Sequence, residues 1–350
     1  MTSDPFAMAG RIPGPAATEH HNLPLPPELR EFRPSYDGYG RYLLPDPETK
    51  GTTPFTRVTT GAKTLDDTSK LEAWKIRSVT QGFRLHPELL DDIDLLAPDD
   101  QIKKDLERAS ERAHVAAGGQ WASEFGTAIH AWLEAVEGLK VTMADVPPEF
   151  VPFCLAYGKA LAEYGICSAE GMIERIVYNS MTGWVGTFDR IYVLGDGSLC
   201  IGDVKTAKDL QWAWLAIAVQ LCDYAEADLI LSLDGTAWEP MPEVRQDFAV
   251  VAHVPSNADP ARASLVPINL AAGREATAAS LHVRQMRSEA RKAVPLPVSV
   301  LPRKQLHSLR ALVQTCTSRE QLVQTYEAYS AHWTPELTEL GNQILARRQA

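Results

Sequence analysis

The stretch GTFDRIYVLGDGSLCIGDVKTAK, residues 186–208, has two apolar runs that between them contain two aspartates and a lysine. Asp189 lies in the first apolar run, and Asp203 and Lys205 lie in the second. Charges on a surface that must pack are costly unless they pair or bind a ligand. Cross-strand salt bridges are one use of such residues. The other is a hard divalent cation, Mg²⁺ or Mn²⁺, which takes carboxylate oxygens as ligands.

The turn at residues 195–197, Gly-Asp-Gly, predicts a β-hairpin that brings these charges together. Folding about residue 196 places Asp189 opposite Asp203. Alternation in a strand puts Asp203 and Lys205 on one face and Val204 on the other. The sequence therefore predicts two carboxylates and an ammonium group within several Å on one face of a sheet.

Glycines interrupt both strands of this hairpin. Gly186 and Gly202 carry no side chain beside the acidic residues. Glycine inside a strand is typical of a place where a ligand or another chain segment approaches closely. We therefore expect a ligand to approach the sheet there.

Two helical pairs flank the hairpin in sequence. His130 and Glu134 are four apart in GTAIHAWLE, and Gln220 and Tyr224 are four apart in AVQLCDYAEA. Residues four apart share one face of a helix. Taken alone, each pair is also typical of an ordinary helix surface.

In this order, GTxxHxxxE, a strand containing Glu174, GxxDRI, GDxKT and QxxxY resemble the PD-(D/E)XK nuclease superfamily. The pattern is most similar to its RecB-like branch, which includes the CRISPR-associated exonucleases, and it covers residues 121–227. The stretch RVTTGAKTLDDTSKLEAWKIR and the helical C-terminal tail are also similar to exonucleases of actinobacterial phages.

This resemblance implies a restriction-endonuclease-like core and a metal-dependent site. His130, Asp189 and Asp203 would be metal ligands, and the Val204 carbonyl would add a fourth. Lys205 would hold or deprotonate the attacking water, or balance the phosphate charge. Asp203 stands where many members have glutamate. A histidine beside carboxylates suits Mn²⁺ as well as Mg²⁺.

The resemblance assigns the other matching residues to supporting roles. Gln220 and Tyr224 would brace the site or contact the DNA backbone. Glu134 and Glu174 would support the metal ligands.

The five cysteines are scattered, with no CxxC pair. The CRISPR-associated members hold an iron–sulfur cluster on four cysteines, one of them before the nuclease core. Here the first cysteine is Cys154, and only Cys316 lies in the tail, so we expect no iron–sulfur cluster. The cysteines are predicted to be small buried side chains.

No GxxxxGK[ST] motif occurs, so a helicase or recombinase partner would be a separate chain.

The order of apolar and polar stretches predicts an α/β fold, with a mixed β-sheet flanked by helices and helical extensions at both ends. Helices are predicted near Ala122–Gly138 and Leu210–Ala227. The strand predictions for the core are Met172–Tyr178, Trp184–Val193 and Leu199–Lys205. The predicted regions are an irregular Pro-rich arm (1–50), a helical N-terminal extension (51–120), the nuclease core (121–270) and a helical C-terminal region (271–350).

The hydrophobic content of 45% and the charged content of 23% are those of an ordinary soluble globular protein, and the formal net charge is −11. No apolar run is long enough to span a membrane, and no secretory signal is visible, so we expect a cytoplasmic protein, in a bacterial host if it is phage-encoded. Net charge neither supports nor excludes DNA as a partner, because only a groove need be basic.

Basic and aromatic residues outside the motifs do not determine where DNA would bind. Basic side chains before and after the core could line it or could be solvated helix faces: Arg57, Lys63, Lys75, Arg77, Arg284, Arg287, Arg291 and Lys292. Trp74, Trp212 and Trp214 could stack on bases, although burial is the favoured prediction.

The first hypothesis is a metal-dependent DNA exonuclease that hydrolyses phosphodiester bonds in recombination, repair or phage DNA processing. The alternatives are a structure-specific endonuclease on the same fold and a non-catalytic DNA-binding or scaffold protein on a nuclease core. The DNA partner would present single-stranded or duplex ends.

Overall fold

The computed structural model describes residues 23–29, 32–49, 51–296 and 307–349. Residues 1–22, 30, 31 and 50 of the predicted Pro-rich arm lie outside these ranges. Residues 297–306, which belong to the predicted helical C-terminal region, also lie outside them.

Within the described residues the chain forms ten strands and ten α-helices. The strands are β1 (Ser35–Tyr36), β2 (Tyr42–Pro45), β3 (Thr52–Arg57), β4 (Cys167–Asn179), β5 (Trp184–Val193), β6 (Leu199–Lys205), β7 (Leu229–Leu231), β8 (Trp238–Pro240), β9 (Phe248–His253) and β10 (Ser264–Asn269). The helices are α1 (Val58–Ala62), α2 (Ser69–Leu85), α3 (Asp99–Ala116), α4 (Trp121–Glu137), α5 (Val151–Glu163), α6 (Trp214–Ala225), α7 (Leu270–Ala293), α8 (His307–Thr315), α9 (Arg319–Tyr329) and α10 (Pro335–Gln349).

The strands form one mixed, mostly antiparallel open sheet flanked by helices, which agrees with the predicted α/β class. Strands β1, β2 and β3 form an antiparallel meander, and β4, β7 and β8 form the other end of the main path. The two parallel pairings are β3 with β5 and β6 with β9. Strand β10 pairs with β9.

Strand β5 is the branch point of the sheet. One of its edges pairs with β4. The other edge is shared: β3 pairs at Trp184 and Val185, and β6 pairs from Arg190 to Val193. Residues 186–189 pair with neither β3 nor β6, which leaves a gap where those two strands separate. We call this place the fork.

The predicted hairpin has the expected bounds and register. Strands β5 and β6 begin and end at the predicted residues, and Arg190 pairs with Gly202. Strand β4 is longer than predicted, since it begins at Cys167, and its register shifts between Ser168 and Ile173. The short strand β8 has no predicted counterpart, because three residues offer too little periodicity to recognise.

Apolar side chains pack on both faces of the sheet. A first core joins β5 and β6 to α1, α6 and α7 and includes Phe188, Ile191 and Ile201. A second core joins the opposite face to α4 and α5 and includes Ile129 and Tyr192. Helix α4 buries one stripe because its apolar residues recur at helical spacing.

A third core lies between the N-terminal meander and the central strands. It contains Tyr42 and Phe55 from the meander and Val185 from β5. These residues attach the N-terminal strands to the branch point of the sheet.

The chain divides into two compact units, residues 1–286 and 287–350. The first contains the sheet. In the second, α8, α9 and α10 surround a small core that includes Leu309, Val313 and Leu337. No helix in the described part of the chain combines the length and hydropathy that crossing a membrane requires.

Two burial predictions need correction. Cys167 is exposed at the start of β4, whereas the other cysteines are buried. Trp212 is 65% exposed and Trp74 is 37% exposed, so neither is the buried side chain that was predicted.

Candidate active site

The predicted site residues gather at the fork. Helix α4 presents His130 to β5, where its Nε2 lies 3.0 Å from Asp189 Oδ2. Close packing sets this position, because a Cβ atom at Gly126 would lie 2.5 Å from Thr206 Oγ1, just after β6. A glycine one turn before His130 therefore lets α4 approach the end of β6.

The Asp189 side chain makes a hydrogen bond to the backbone just beyond the end of the ladder between β5 and β6. The last pair is Arg190 with Gly202, and one step beyond it Asp189 Oδ2 accepts a hydrogen bond of 2.7 Å from the Val204 amide. A side chain thus satisfies a backbone donor that the separating strands would leave unpaired. The Val204 amide makes this contact, and metal binding by the Val204 carbonyl stays a prediction.

The strand alternation used in the prediction is interrupted at this point. Phe188 and Ile191 are three residues apart and yet pack in the same core. Regular alternation would place them on opposite faces. The Asp189 carboxylate therefore reaches the Val204 amide through the gap between the strands, and its charge acts on the neighbouring Asp203.

Asp203 and Lys205 form a buried pair at the end of β6. Asp203 is 1% exposed, and its Oδ1 accepts a hydrogen bond of 2.8 Å from Lys205 Nζ. Asp203 Oδ2 lies 2.7 Å from the same nitrogen but lacks hydrogen-bond geometry and has no hydrogen-bond partner. One buried carboxylate oxygen is therefore left without a hydrogen bond.

Burial and neighbouring charges act oppositely on the two carboxylates. Burial raises the pKa of Asp203, and the charge of Asp189 adds to this against the effect of Lys205, which brings the pKa to about 6. Burial also favours the neutral form of Asp189, but His130 and Lys205 outweigh it and hold the pKa of Asp189 well below its ordinary range. The Lys205 pKa is raised, because Asp203 and Asp189 outweigh the burial of its ammonium group.

Glu134 and Glu174 complete the surroundings of His130. Glu134 Oε1 lies 3.4 Å from His130 Nε2, and one ligand atom from each of these three residues lies within 4.8 Å of the other two. Burial lowers the pKa of His130, but Asp189 and Glu134 raise it by more.

An unusual backbone conformation places Glu174. Its φ is 53°, which a residue with a side chain adopts at an energetic cost. The flanking pairs of β4 with β5 put Glu174 across from Asp189. The strain thus occurs where the sheet carries the charged cluster.

Gln220 and Tyr224 lie on α6 as a contacting pair, with Gln220 Nε2 3.3 Å from the Tyr224 hydroxyl. Tyr224 is buried against Gly186, where a Cβ atom would lie 2.5 Å from Tyr224 Cε1. A Cβ atom at Gly202 would lie 2.3 Å from the ring of Tyr192. The expectation that these glycines admit a ligand is therefore wrong, because both make room for aromatic rings of the chain itself.

The guanidinium of Arg190, next to Asp189, is fully buried, which the sequence did not predict. Arg190 is 0% exposed, its Nη2 lies 2.9 Å from Glu137 Oε2, and its Nη1 lies 4.0 Å from Asp189 Oδ2. Glu137 Oε1 accepts hydrogen bonds from the Tyr157 and Ser168 hydroxyls. The only signal for Arg190 was its place beside Asp189 in GTFDRI, and Glu137 had none.

The donor set at the fork fits a divalent cation. Imidazole and carboxylate groups together suit Mn²⁺ and Mg²⁺. Asp203 Oδ2 lies 2.7 Å from Lys205 Nζ but accepts no hydrogen bond, so this buried oxygen has a lone pair left for a cation. His130, Asp189 and Asp203 would hold the ion, with Glu134 and Glu174 nearby.

Comparison with known proteins adds no relative at this point: the chain matches no protein-family model and no curated protein.

Proposed function

We propose that this chain is a metal-dependent DNA nuclease with a PD-(D/E)XK-like core, and that it acts as an exonuclease. The observation that supports the proposal most strongly is the convergence of His130, Asp189, Asp203 and Lys205 at the fork. Residues from a helix and two strands, separated by up to 75 positions in sequence, contribute to one buried charged cluster. Mg²⁺ or Mn²⁺ is the proposed cofactor.

The chain's own residues divide the work. His130 presents an imidazole nitrogen beside Asp189, Glu134 and Glu174, and Asp203 presents its carboxylate at the end of β6. A bound divalent ion would supply charge neutralisation for the phosphate and acidify water at the site. Lys205 keeps its ammonium charge because of its two acidic neighbours, so it balances phosphate charge and orients water as a hydrogen-bond donor.

Surrounding groups position these residues. The Val204 amide and His130 fix the Asp189 carboxylate from two directions. Gln220 contacts Tyr224 on α6, and Tyr224 packs against Gly186, three residues before Asp189. Preorganised charged groups of this kind commonly supply the largest part of catalysis.

The test compares linear and circular DNA. Wild-type protein is incubated with end-labelled linear DNA or closed circular DNA in Mg²⁺, Mn²⁺ or EDTA. We expect metal-dependent loss of linear DNA only. Cutting of circles would replace the exonuclease with an endonuclease, and binding without cleavage by folded protein would favour a scaffold.

Variants tie the activity to the fork. Asp203→Asn and Lys205→Ala are expected to lower the cleavage rate by at least about 100-fold, a cost of about 3 kcal/mol in the transition state. Asp196→Asn and Lys208→Ala are matched controls on exposed positions of the same hairpin region. Calorimetric titration with Mn²⁺ separates the roles: Asp203→Asn should weaken binding, whereas Asp196→Asn should not. Unchanged cleavage in both site variants would refute the proposal.

A further inference from the structure

The hairpin of β1 and β2 carries two exposed tyrosines next to two arginines. Tyr36 is 47% exposed and Tyr39 is 89% exposed. The Arg57 guanidinium carbon lies 5.9 Å from the Tyr36 ring centroid, and that of Arg41 lies 5.6 Å from the Tyr39 ring centroid. We call these four residues the tyrosine–arginine platform.

A tight turn holds Tyr39 in this exposed position. Asp37 Oδ1 accepts hydrogen bonds of 2.9 Å from the amides of Tyr39 and Arg41. Gly40, with φ of 72°, closes the turn by donating its amide to the Asp37 carbonyl. The aromatic ring is therefore presented by a fixed backbone, which reduces the entropy lost when something binds to it.

The platform is directly connected to the fork. The rings of Tyr36 and Tyr42 have centroids 5.1 Å apart, and the Tyr42 hydroxyl lies 3.0 Å from Thr187 Oγ1. Thr187 stands two residues before Asp189 on β5, about 7 Å along a strand. Arg57 is the last residue of β3 and pairs with Val185 of the same strand.

The charges of the platform favour an anionic partner. Asp37 pairs with Arg41 at 2.7 Å and neutralises it. Arg57 is exposed and has no ion pair with a carboxylate among the residues that the structure describes. An unneutralised guanidinium beside exposed aromatic rings suits a partner that has both phosphate groups and flat apolar faces.

We propose that the tyrosine–arginine platform binds the unpaired strand of a DNA end and leads it to the fork. Within a duplex the base faces are covered by the neighbouring base pairs, so successive bases can stack on exposed aromatic rings only where the strand is unpaired. Arg57 contacts the phosphate backbone, and Tyr36 and Tyr39 take the bases. The proposal rests on the proposed nuclease function for its substrate, but the binding surface can be tested without cleavage.

The test measures binding of a fluorescein-labelled oligo(dT) and of a blunt hairpin duplex by anisotropy, in EDTA and at low salt. We expect the wild type to prefer oligo(dT). Tyr39→Ala and Tyr36→Ala should each weaken oligo(dT) binding by roughly 5- to 150-fold, the range found when one base-stacking ring is removed. Arg57→Ala should weaken it and reduce its salt dependence. Thermal unfolding shows whether the variants fold: it should be unchanged in Tyr39→Ala, whereas Tyr36→Ala also loses its ring contact with Tyr42.

Two control variants test whether binding depends on the aromatic ring and on its position in the platform. Tyr39→Phe keeps the ring and should bind like the wild type, and Tyr164→Ala removes another exposed tyrosine, 64% exposed at the end of α5. Trp212→Ala tests a rival surface, because Lys70 Nζ lies 3.3 Å from the ring centroid of that exposed tryptophan.

Binding that depends on Trp212 and not on the tyrosines would overturn the platform, as would equal loss in Tyr164→Ala. Metal-dependent cleavage combined with unaffected binding in the tyrosine variants would overturn the platform alone. Platform-dependent binding by a protein that cleaves no DNA would instead overturn the proposed nuclease function and leave the surface assigned.

Discussion

Asp223 on α6 should make the protein less stable as the pH rises, and Asp223→Asn should remove that dependence. Asp223 is 1% exposed, and its Oδ1 accepts hydrogen bonds of 2.7 Å from the Thr182 hydroxyl and 3.2 Å from Asn179 Nδ2. Burial favours its neutral form and outweighs these two hydrogen bonds, so its pKa rises from 3.8 to about 7.

The direction follows from proton binding in the two states. Between about pH 4 and about pH 7 the folded protein keeps a proton on Asp223 that the unfolded chain has already released. The unfolded state therefore binds fewer protons, and the free energy of unfolding falls as the pH rises through this window. The full gap between 3.8 and about 7 corresponds to roughly 4 kcal/mol, and the loss is complete above the folded pKa.

Asparagine keeps the acceptor oxygen and carries no charge at any pH. The advantage of Asp223→Asn in free energy of unfolding should therefore grow by about 2–3 kcal/mol between about pH 5 and about pH 8. Urea unfolding followed by tryptophan fluorescence at several pH values measures this advantage. Glu163→Gln, which removes an exposed carboxylate at the end of α5, is the matched control. An advantage for Asp223→Asn that is constant with pH, or that shrinks as the pH rises, would refute the reasoning.

Two further substitutions test the packing beneath the site. Gly186→Ala should lower the free energy of unfolding by roughly 1–3 kcal/mol, since its Cβ would lie 2.5 Å from a Tyr224 ring carbon and 2.9 Å from Val58 Cγ2. The control Gly158→Ala has open space around the new Cβ and should not destabilise the protein. Equal urea midpoints for the two variants would contradict the packing argument. Glu137→Ala should cost roughly 3–5 kcal/mol in a urea titration, because it leaves a buried guanidinium without its carboxylate. Combining Glu137→Leu with Arg190→Met should recover part of that loss, since the Tyr157 and Ser168 hydroxyls still lose their acceptor; no recovery would contradict the role of the charge pair.

Local signals gave the central hairpin its bounds. Apolar runs on either side of a Gly-Asp-Gly turn are sufficient to define β5 and β6 and their register, since a hairpin is formed by neighbours in sequence. The four-residue spacing likewise placed Gln220 and Tyr224 in contact on α6. These features depend on residues close together along the chain.

The features of the site that the sequence did not predict arise from pairing between strands that are distant along the chain. Strand β3 reaches β5 across more than 120 residues, and that pairing creates the fork. Nothing in the pattern around Arg57 or Trp184 indicates which strand each will meet. Hence neither the gap at residues 186–189 nor the break in alternation beside it could be predicted, and Gly186 was assigned to a ligand instead of to Tyr224.

The sequence by itself determined which residue types are available for chemistry and their order: a histidine on a helix, an aspartate on one strand, and an aspartate and a lysine on the next. The tertiary structure alone decided that Asp189 bonds the Val204 amide, that Glu174 adopts a left-handed backbone beside it, and that Arg190 is buried with Glu137. The physical reason is that spacing along a chain fixes side-chain direction within one element, whereas burial, charge balance and strain depend on which distant elements pack against it.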